Sequence, residues 1–322
     1  MWLRNLTLIS GLLVNPGFVY AVTCSVSNVQ PVNFGAVNPL PTSAVTSAMT
    51  FNYSCAKELG DVLAGINLCF NIGISGVSGQ VTTRNMSLSG TPARTLTYQL
   101  YQDAGHSKIW GSQYQSGATF PMVKLNLLNL TPVTGTLTVY AKLNTPQTTA
   151  VPGNYQDSYT TATALVTLNP GLVLPPTTCG DTVAARLPFT VSANVTKQCA
   201  IGYANNITFN PSKATDRNVT ANSALGIACT NNTPYTIGLQ PSNGNTSGYG
   251  VLKGTGANQD KVPYQLSSTP GPTGTIWGNT SLNAVAGTGT GLTTDYPVYA
   301  TVPGSNFTPD NYADTVTISV TY

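Results

Sequence analysis

The chain repeats itself once, and the repeat limits what it can fold into. Cys24 and Cys55 stand 31 residues apart in one half, and Cys199 and Cys229 stand 30 apart in the other. Each half then carries the same landmarks in the same order. Tyr98-Gln99-Leu100 matches Tyr264-Gln265-Leu266, and Ile109-Trp110-Gly111 matches Ile276-Trp277-Gly278. Val139-Tyr140-Ala141 matches Val298-Tyr299-Ala300, and Asn154-Tyr155-Gln156-Asp157 matches Asn311-Tyr312-Ala313-Asp314. Compositional bias in a Thr-rich chain does not place two tryptophans and four cysteines in register. A period of roughly 150 residues is a domain duplication, not a solenoid.

Each half closes on a strand-like alternation, Thr163–Leu168 and Thr315–Tyr322. In the second, Val316, Ile318, Val320 and Tyr322 face one way and the hydroxyl residues between them the other, as in a half-buried antiparallel strand. Short alternating runs between Gly, Pro and Asn turns point to an all-β fold of two immunoglobulin-like β-sandwich domains in tandem. Composition agrees: Thr, Val and Tyr abound, and Glu occurs once, at Glu58. The Pro- and Gly-interrupted stretch 168–178 is the expected linker, which divides the chain into domains 22–178 and 179–322. Leu172-Val173-Leu174 is expected to complete the first domain's own sheet.

Arg4, the apolar run Leu6–Val14 and Val19-Tyr20-Ala21 make residues 1–21 a signal peptide. No later stretch has the roughly 20 apolar residues of a membrane helix. In an exported chain six cysteines imply three disulfides. The repeat pairs Cys24 with Cys55 and Cys199 with Cys229. Cys69 and Cys179 remain, and are expected to clasp the end of the first domain to its sheet. Charged residues make up 7% of the chain against about 25% in ordinary globular proteins. The net charge of +3, with no basic run, gives no reason to expect nucleic acid as a partner.

Catalytic chemistry finds little to work with. His106, the single imidazole, sits in Asp103-Ala104-Gly105-His106-Ser107, which reads as a solvated turn rather than a Ser–His–Asp relay. The ten acids are scattered, with no calcium-loop spacing and no paired-carboxylate signature. No enzyme activity, metal or cofactor is expected. Trp110 and Trp277 could be sugar platforms, but their matching positions favour a shared packing role.

The repeated pattern Cys…Cys…Tyr-Gln-Leu…Ile-Trp-Gly…Val-Tyr-Ala…Asn-Tyr-x-Asp, closing on Thr315-Val316-Thr317-Ile318-Ser319-Val320-Thr321-Tyr322, resembles the spore coat protein U domain. The first half, with its extra Cys69 and with Arg84-Asn85-Met86, is similar to the N-terminal domain of two-domain tip adhesins of archaic, Csu-type chaperone–usher pili. The resemblance implies a periplasmic pilus chaperone, an outer-membrane usher and an adjacent pilus subunit donating a strand as partners. It implies secretion through the periplasm to the pilus tip, and a role in adhesion and biofilm formation. A mature start at Val22, with no segment ahead of it to donate, and a second domain ending inside its last strand fit a tip that accepts a strand. The second domain is therefore expected to be pilin-like and incomplete by one strand, its groove beside Val316, Ile318, Val320 and Tyr322.

The adhesive surface is expected on the first domain, at the end far from the linker. Candidates are Leu59, Val62 and Leu63 in the loop 57–65, Ala150 and Val151 in the loop 144–153, and Phe120 and Met122 in the segment 114–122. Apolar residues there, and the resemblance to tips with hydrophobic finger loops, favour contact with an abiotic or host surface over a lectin pocket.

Overall fold

The computed structural model describes residues 22–41 and 43–322, so the expected signal peptide over 1–21 lies outside the described residues. Twenty strands and no helix make up the described chain. The first twelve are β1 (Val22–Ser27), β2 (Val32–Val37), β3 (Val45–Lys57), β4 (Gly65–Ile72), β5 (Arg84–Leu88), β6 (Thr91–Tyr101), β7 (Met122–Asn126), β8 (Val133–Leu143), β9 (Gly153–Tyr159), β10 (Ala164–Gly171), β11 (Thr182–Arg186) and β12 (Phe189–Val195). The remaining eight are β13 (Cys199–Ala204), β14 (Arg217–Cys229), β15 (Pro234–Pro241), β16 (Tyr249–Lys253), β17 (Lys261–Ser267), β18 (Val285–Thr288), β19 (Thr293–Gly304) and β20 (Val316–Thr321).

Each half is a sandwich of two sheets. The first half packs the sheet β1-β3-β8-β6-β5-β9-β12-β2 on the sheet β11-β10-β4-β7. The second packs β13-β14-β19-β17-β16 on β18-β15-β20. Period-2 alternation supplies the inner faces: Met49, Phe51, Tyr53 and Cys55 point inward along β3. Each half has its own core.

The repeated motifs occupy equivalent places. Cys24–Cys55 and Cys199–Cys229 each bridge the first pair of antiparallel strands, with Cα atoms 4.1 Å apart in both. Trp110 Nε1 donates to the Phe70 carbonyl at 2.9 Å, and Trp277 Nε1 donates to the Ile237 carbonyl at 2.8 Å. Both indoles are fully buried and their donors are spent on backbone, so they are packing residues, not sugar platforms. Tyr98 donates to Asp157 at 2.7 Å, and Tyr264 to Asp314 at 2.6 Å.

The change from one half to the other comes later than the sequence division at 178/179. β11 pairs antiparallel with β10, and β12 lies between β9 and β2, so residues 182–195 belong to the first half's sheets. Leu172, Val173 and Leu174 complete no strand; their side chains are exposed. The physical reason is that the Pro- and Gly-rich stretch ends strand β10 at Gly171 and then runs as a loop on one end of the sandwich. The alternating run Phe189-Thr190-Val191-Ser192-Ala193-Asn194-Val195 beyond it carries the core side chains, with Phe189, Val191, Ala193 and Val195 all buried.

Arg84, at the start of β5, is fully buried. Its guanidinium donates to the carbonyls of Val81, Ile72, Gly73 and Trp110 at 2.8–3.1 Å and to Gln99 Oε1. Burying a cation is costly unless its hydrogens are satisfied, and here carbonyls do most of that.

Candidate functional site

Two regions stand out, one in each half. The first is a pole of the first half. Lys57 at the end of β3 pairs with Val22, Gly65 at the start of β4 pairs with Gly171 and Asn126, and Val133 pairs with Cys55. The loops 58–64, 127–132 and 172–181 therefore emerge at one end. Backbone bonds tie them together: the Leu127 amide donates to the Ala64 carbonyl at 2.8 Å, and the Ala64 amide to the Gly171 carbonyl at 3.1 Å. Seven aliphatic side chains on these loops are exposed: Leu59 (89%), Val62, Leu128 (80%), Leu130, Leu172, Val173 (79%) and Leu174. Isolated exposed aliphatics are ordinary; seven on three neighbouring loops are more than scattered exposure supplies.

The third loop is held firmly. Cys69 and Cys179 are bonded. Asn67 and Asn169 both donate through Nδ2 to the Thr178 carbonyl, at 3.0 and 3.1 Å. Pro175 packs so closely on Gly65 that a Cβ there would sit 2.6 Å from the proline ring.

Of the residues expected from sequence, Leu59 and Val62 stand at this pole. Leu63 is buried at 2% exposure, its amide bound to Asp61, so it anchors the loop instead of presenting it. Ala150 and Val151 are also buried. Tyr155 explains this: its hydroxyl donates to the Val151 carbonyl at 3.0 Å and accepts from the Val151 amide at 3.1 Å. Their loop sits at the opposite end, where Asn231 of the second half donates to the Thr149 carbonyl at 3.1 Å. Phe120 is half-buried, and Met122 is exposed on edge strand β7, opposite Cys69 and away from the pole. Sequence reading missed Leu128, Leu130 and Leu172–Leu174. The signal was available, since Leu127-Leu128-Asn129-Leu130 and Leu172-Val173-Leu174 are apolar runs beside turn residues.

The second region is a cleft of about 960 Å³ in the second half. Its floor is the buried apolar set Leu225, Leu239, Leu266 and Val298, and its rim includes half-buried Phe307, Tyr312, Val316 and Ile318. The walls are Ile207–Phe209 on one side and Tyr312–Asp314 on the other. Counting from Cys24 and Cys199, Ile207 and Phe209 match Val32 and Phe34 of β2, while the Asn-Tyr-x-Asp motif matches Tyr312–Asp314 to β9. Between β2 and β9 the first half holds β12; between the matching segments the second half has the open cleft. Ala313 bridges to Lys253 on its far side only. Of the expected groove residues Val316 and Ile318 line the cleft. Val320 packs on the core away from it and Tyr322 is half exposed beyond the last strand, because the cleft runs beside only the first part of β20.

Electrostatics around the cleft is local. Asp310 accepts from Thr255 and Asn258, which hold its carboxyl down at about 2. Burial and then Asp314 push the Tyr264 hydroxyl far above its usual value. Neither is a catalytic arrangement. At Asp103 the Ser107 hydroxyl donates to the carboxylate at 2.9 Å, not to His106, so no relay is formed there. Among the described residues no cluster of His, Cys, Asp and Glu could hold a metal.

The sequence matches the spore coat protein U domain over residues 12–162 and again over 185–319. The chain belongs to the spore coat protein U domain family. Both copies of the domain carry the landmarks that define the repeat. No curated protein gives a significant match. Among solved structures, the chaperone–tip subunit pre-assembly complex CsuC–CsuE of the archaic chaperone–usher Csu pili of Acinetobacter baumannii is similar in fold. It has a TM-score of 0.53 at 16% identity, over 93% of this chain and 100% of that one. CfaE, the adhesive subunit of the CFA/I fimbria of enterotoxigenic Escherichia coli, is more distant, with a TM-score of 0.35 at 10% identity over 91% of this chain and 93% of that one.

Proposed function

We propose that this spore coat protein U domain chain is the tip subunit of a chaperone–usher surface pilus and that it attaches cells to apolar surfaces, abiotic or host, as in biofilm formation. The observation that carries the reading is the cluster of seven exposed aliphatics on three loops at the pole farthest from the second half. Each such side chain contributes roughly 1.5–3 kcal/mol when buried against an apolar surface, and many fibres add avidity. The second half's cleft lies where the first half has the strand β12. An apolar groove beside open backbone is a site for strand addition, so an adjacent subunit anchors this chain to the fibre. Until then the groove needs a periplasmic chaperone, because exposed apolar edges aggregate. Passage through an outer-membrane usher and display at the fibre tip follow from the same reading, and the similarity in fold to CsuE supports it.

The test replaces Leu59, Leu128, Val173 and Leu174 together by Ser and counts cells bound to hydrophobic plastic at equal pilus number. Adhesion falls at least roughly tenfold, the loss of about 1.4 kcal/mol or more of effective contact. Unchanged adhesion by normally assembled pili would refute the apolar tip, and inhibition by a free sugar would place a lectin site elsewhere.

A further inference from the structure

A third concavity lies on the outer face of the first half's large sheet, apart from both regions described above. It is a groove of about 1000 Å³, with β9 and β12 as its floor and β5 and β2 at its flanks. Strand alternation makes its lining polar. Tyr155, Asp157, Val191 and Ala193 point into the core, so Asn154, Gln156, Ser192 and Asn194 point outward. Register then aligns these side chains in rungs. Ser87 stands opposite Gln156, Gln156 opposite Ser192, and Ser192 opposite Asn33. In the next rung Asn154 stands opposite Asn194, and Asn194 opposite Ala36. Between the two rungs β2 advances three residues, Asn33 to Ala36, against two on β12. The extra residue is a bulge containing Gly35 at φ +69°, and a bulge bends the strand that carries it.

The hydrogen-bonding groups in the groove are largely unspent. Elsewhere on the same face, neighbours across strands satisfy one another: the Thr50 and Thr138 hydroxyls are 3.1 Å apart, and Thr136 donates to Asn52 Oδ1 at 3.1 Å. Within the groove Gln156 Nε2 reaches Ser158 Oγ at 3.4 Å, and Asn33 Oδ1 accepts from the Gly35 amide at 2.8 Å. The side chains of Ser87, Ser89, Asn154, Ser192 and Asn194 have no partner among the described residues. A row of free amides and hydroxyls in one concavity offers donors and acceptors together, at the strand spacing of about 4.8 Å.

We propose that this groove binds a chain of neutral extracellular polysaccharide, laid across β5, β9, β12 and β2. The lining selects that chemistry by what it offers and what it withholds. None of the lining residues is charged, so a phosphate, sulfate, carboxylate or ammonium group would lose its water without gaining a counter-charge. A peptide strand would need a free sheet edge or apolar pockets, and the floor strands β9 and β12 are paired on both sides. A polyhydroxylated chain needs neither, since each hydroxyl both donates and accepts. Four strands give it three spacings, about 14 Å of contact. Tyr155 lines the groove but supplies no aromatic platform, because it is buried with its hydroxyl bonded to Val151. Hydrogen bonds alone therefore hold the ligand, so a single chain binds weakly and many fibres on one cell add avidity. The groove works independently of the apolar pole and of the cleft in the second half.

The test runs the exported chain, copurified with its chaperone, through native gels that contain dextran, galactomannan or hydroxyethyl cellulose, all neutral, or carboxymethyl cellulose, which is anionic. At least one neutral polymer is expected to slow the chain. Asn154→Ala combined with Asn194→Ala weakens that retardation by roughly tenfold or more. Gln156→Ala, made separately, weakens it in the same direction and serves if the paired variant does not fold. Thr50→Ala with Thr138→Ala, on the same face outside the groove, leaves it unchanged. The proposal is overturned if no neutral polymer slows the chain, or if only the anionic one does. It is equally overturned if the folded groove variants are slowed as much as the parent, or if the Thr50 and Thr138 variant loses as much as they do.

Discussion

Val191 lies directly opposite Asp157 where β12 pairs with β9, whereas Asp314, which matches Asp157 in the second half, faces an open cleft. The first half has a strand at this place and the second has a cleft. The first prediction concerns the strand that is present. Phe189 stacks on Tyr159 with ring centroids 4.7 Å apart and is buried. Phe189→Ala is expected to destabilise the first half by about 3–5 kcal/mol, the cost of emptying a packed aromatic site. Denaturant unfolding followed separately for each half checks this, and an unchanged first transition would contradict it.

The clasp is the second. Cys69 and Cys179 close a segment with a separation of 110 residues. Replacing both by Ser is expected to cost the first half about 4–5 kcal/mol in the chain-entropy description. Proteolysis should then cut first at 172–181, where Leu172–Leu174 are presented, while the second half melts as before.

Alkaline pH is the third. Burial pushes the Tyr159 hydroxyl up to about 12 against the opposing pull of Arg84, and burial with Tyr159 and Asp157 raises Tyr98 well above its usual value. A hydroxyl whose pKa is higher folded than unfolded gives stability that is complete below about pH 10 and is lost as pH rises through the folded value. The first half is expected to unfold as pH climbs from about 10 towards 12 and beyond, with tyrosinate absorbance appearing in the same step. Free titration of all tyrosines near pH 10 in the folded state would contradict the buried network.

Salt separates apolar from charged adhesion. The pole carries seven exposed aliphatics, so a roughly tenfold rise in salt should leave attachment to hydrophobic plastic unchanged or stronger. A steep fall would assign the contact to charge.

The repeat, the three disulfides and the sandwich class were legible because cysteines, tryptophans and strand alternation are strongly patterned. Residues 182–195 were not. Proline- and glycine-rich sequence at 168–178 looks like the end of a domain, yet a loop on a sandwich has the same composition as a linker. Only the pairing of β12 with β9 and β2 decides between them. The exposed apolar loops were half legible. Leu59 and Leu63 are four residues apart in one loop, and sequence gives no means to tell that one is exposed and the other buried. Ala150 and Val151 failed because the end of the sandwich on which a loop emerges follows from strand direction and register, which composition does not carry.

The central claim is that the second half is incomplete until another strand fills its cleft. The direct measurement expresses residues 22–322 in a periplasm with and without the cognate chaperone and compares soluble yield, stoichiometry and thermal unfolding. The expected result is a stable one-to-one complex with the chaperone and an aggregating chain without it, rescued when a strand enters the cleft beside Tyr312–Asp314. A soluble monomer that folds alone, with full thermal stability and no gain from chaperone or added strand, would contradict it.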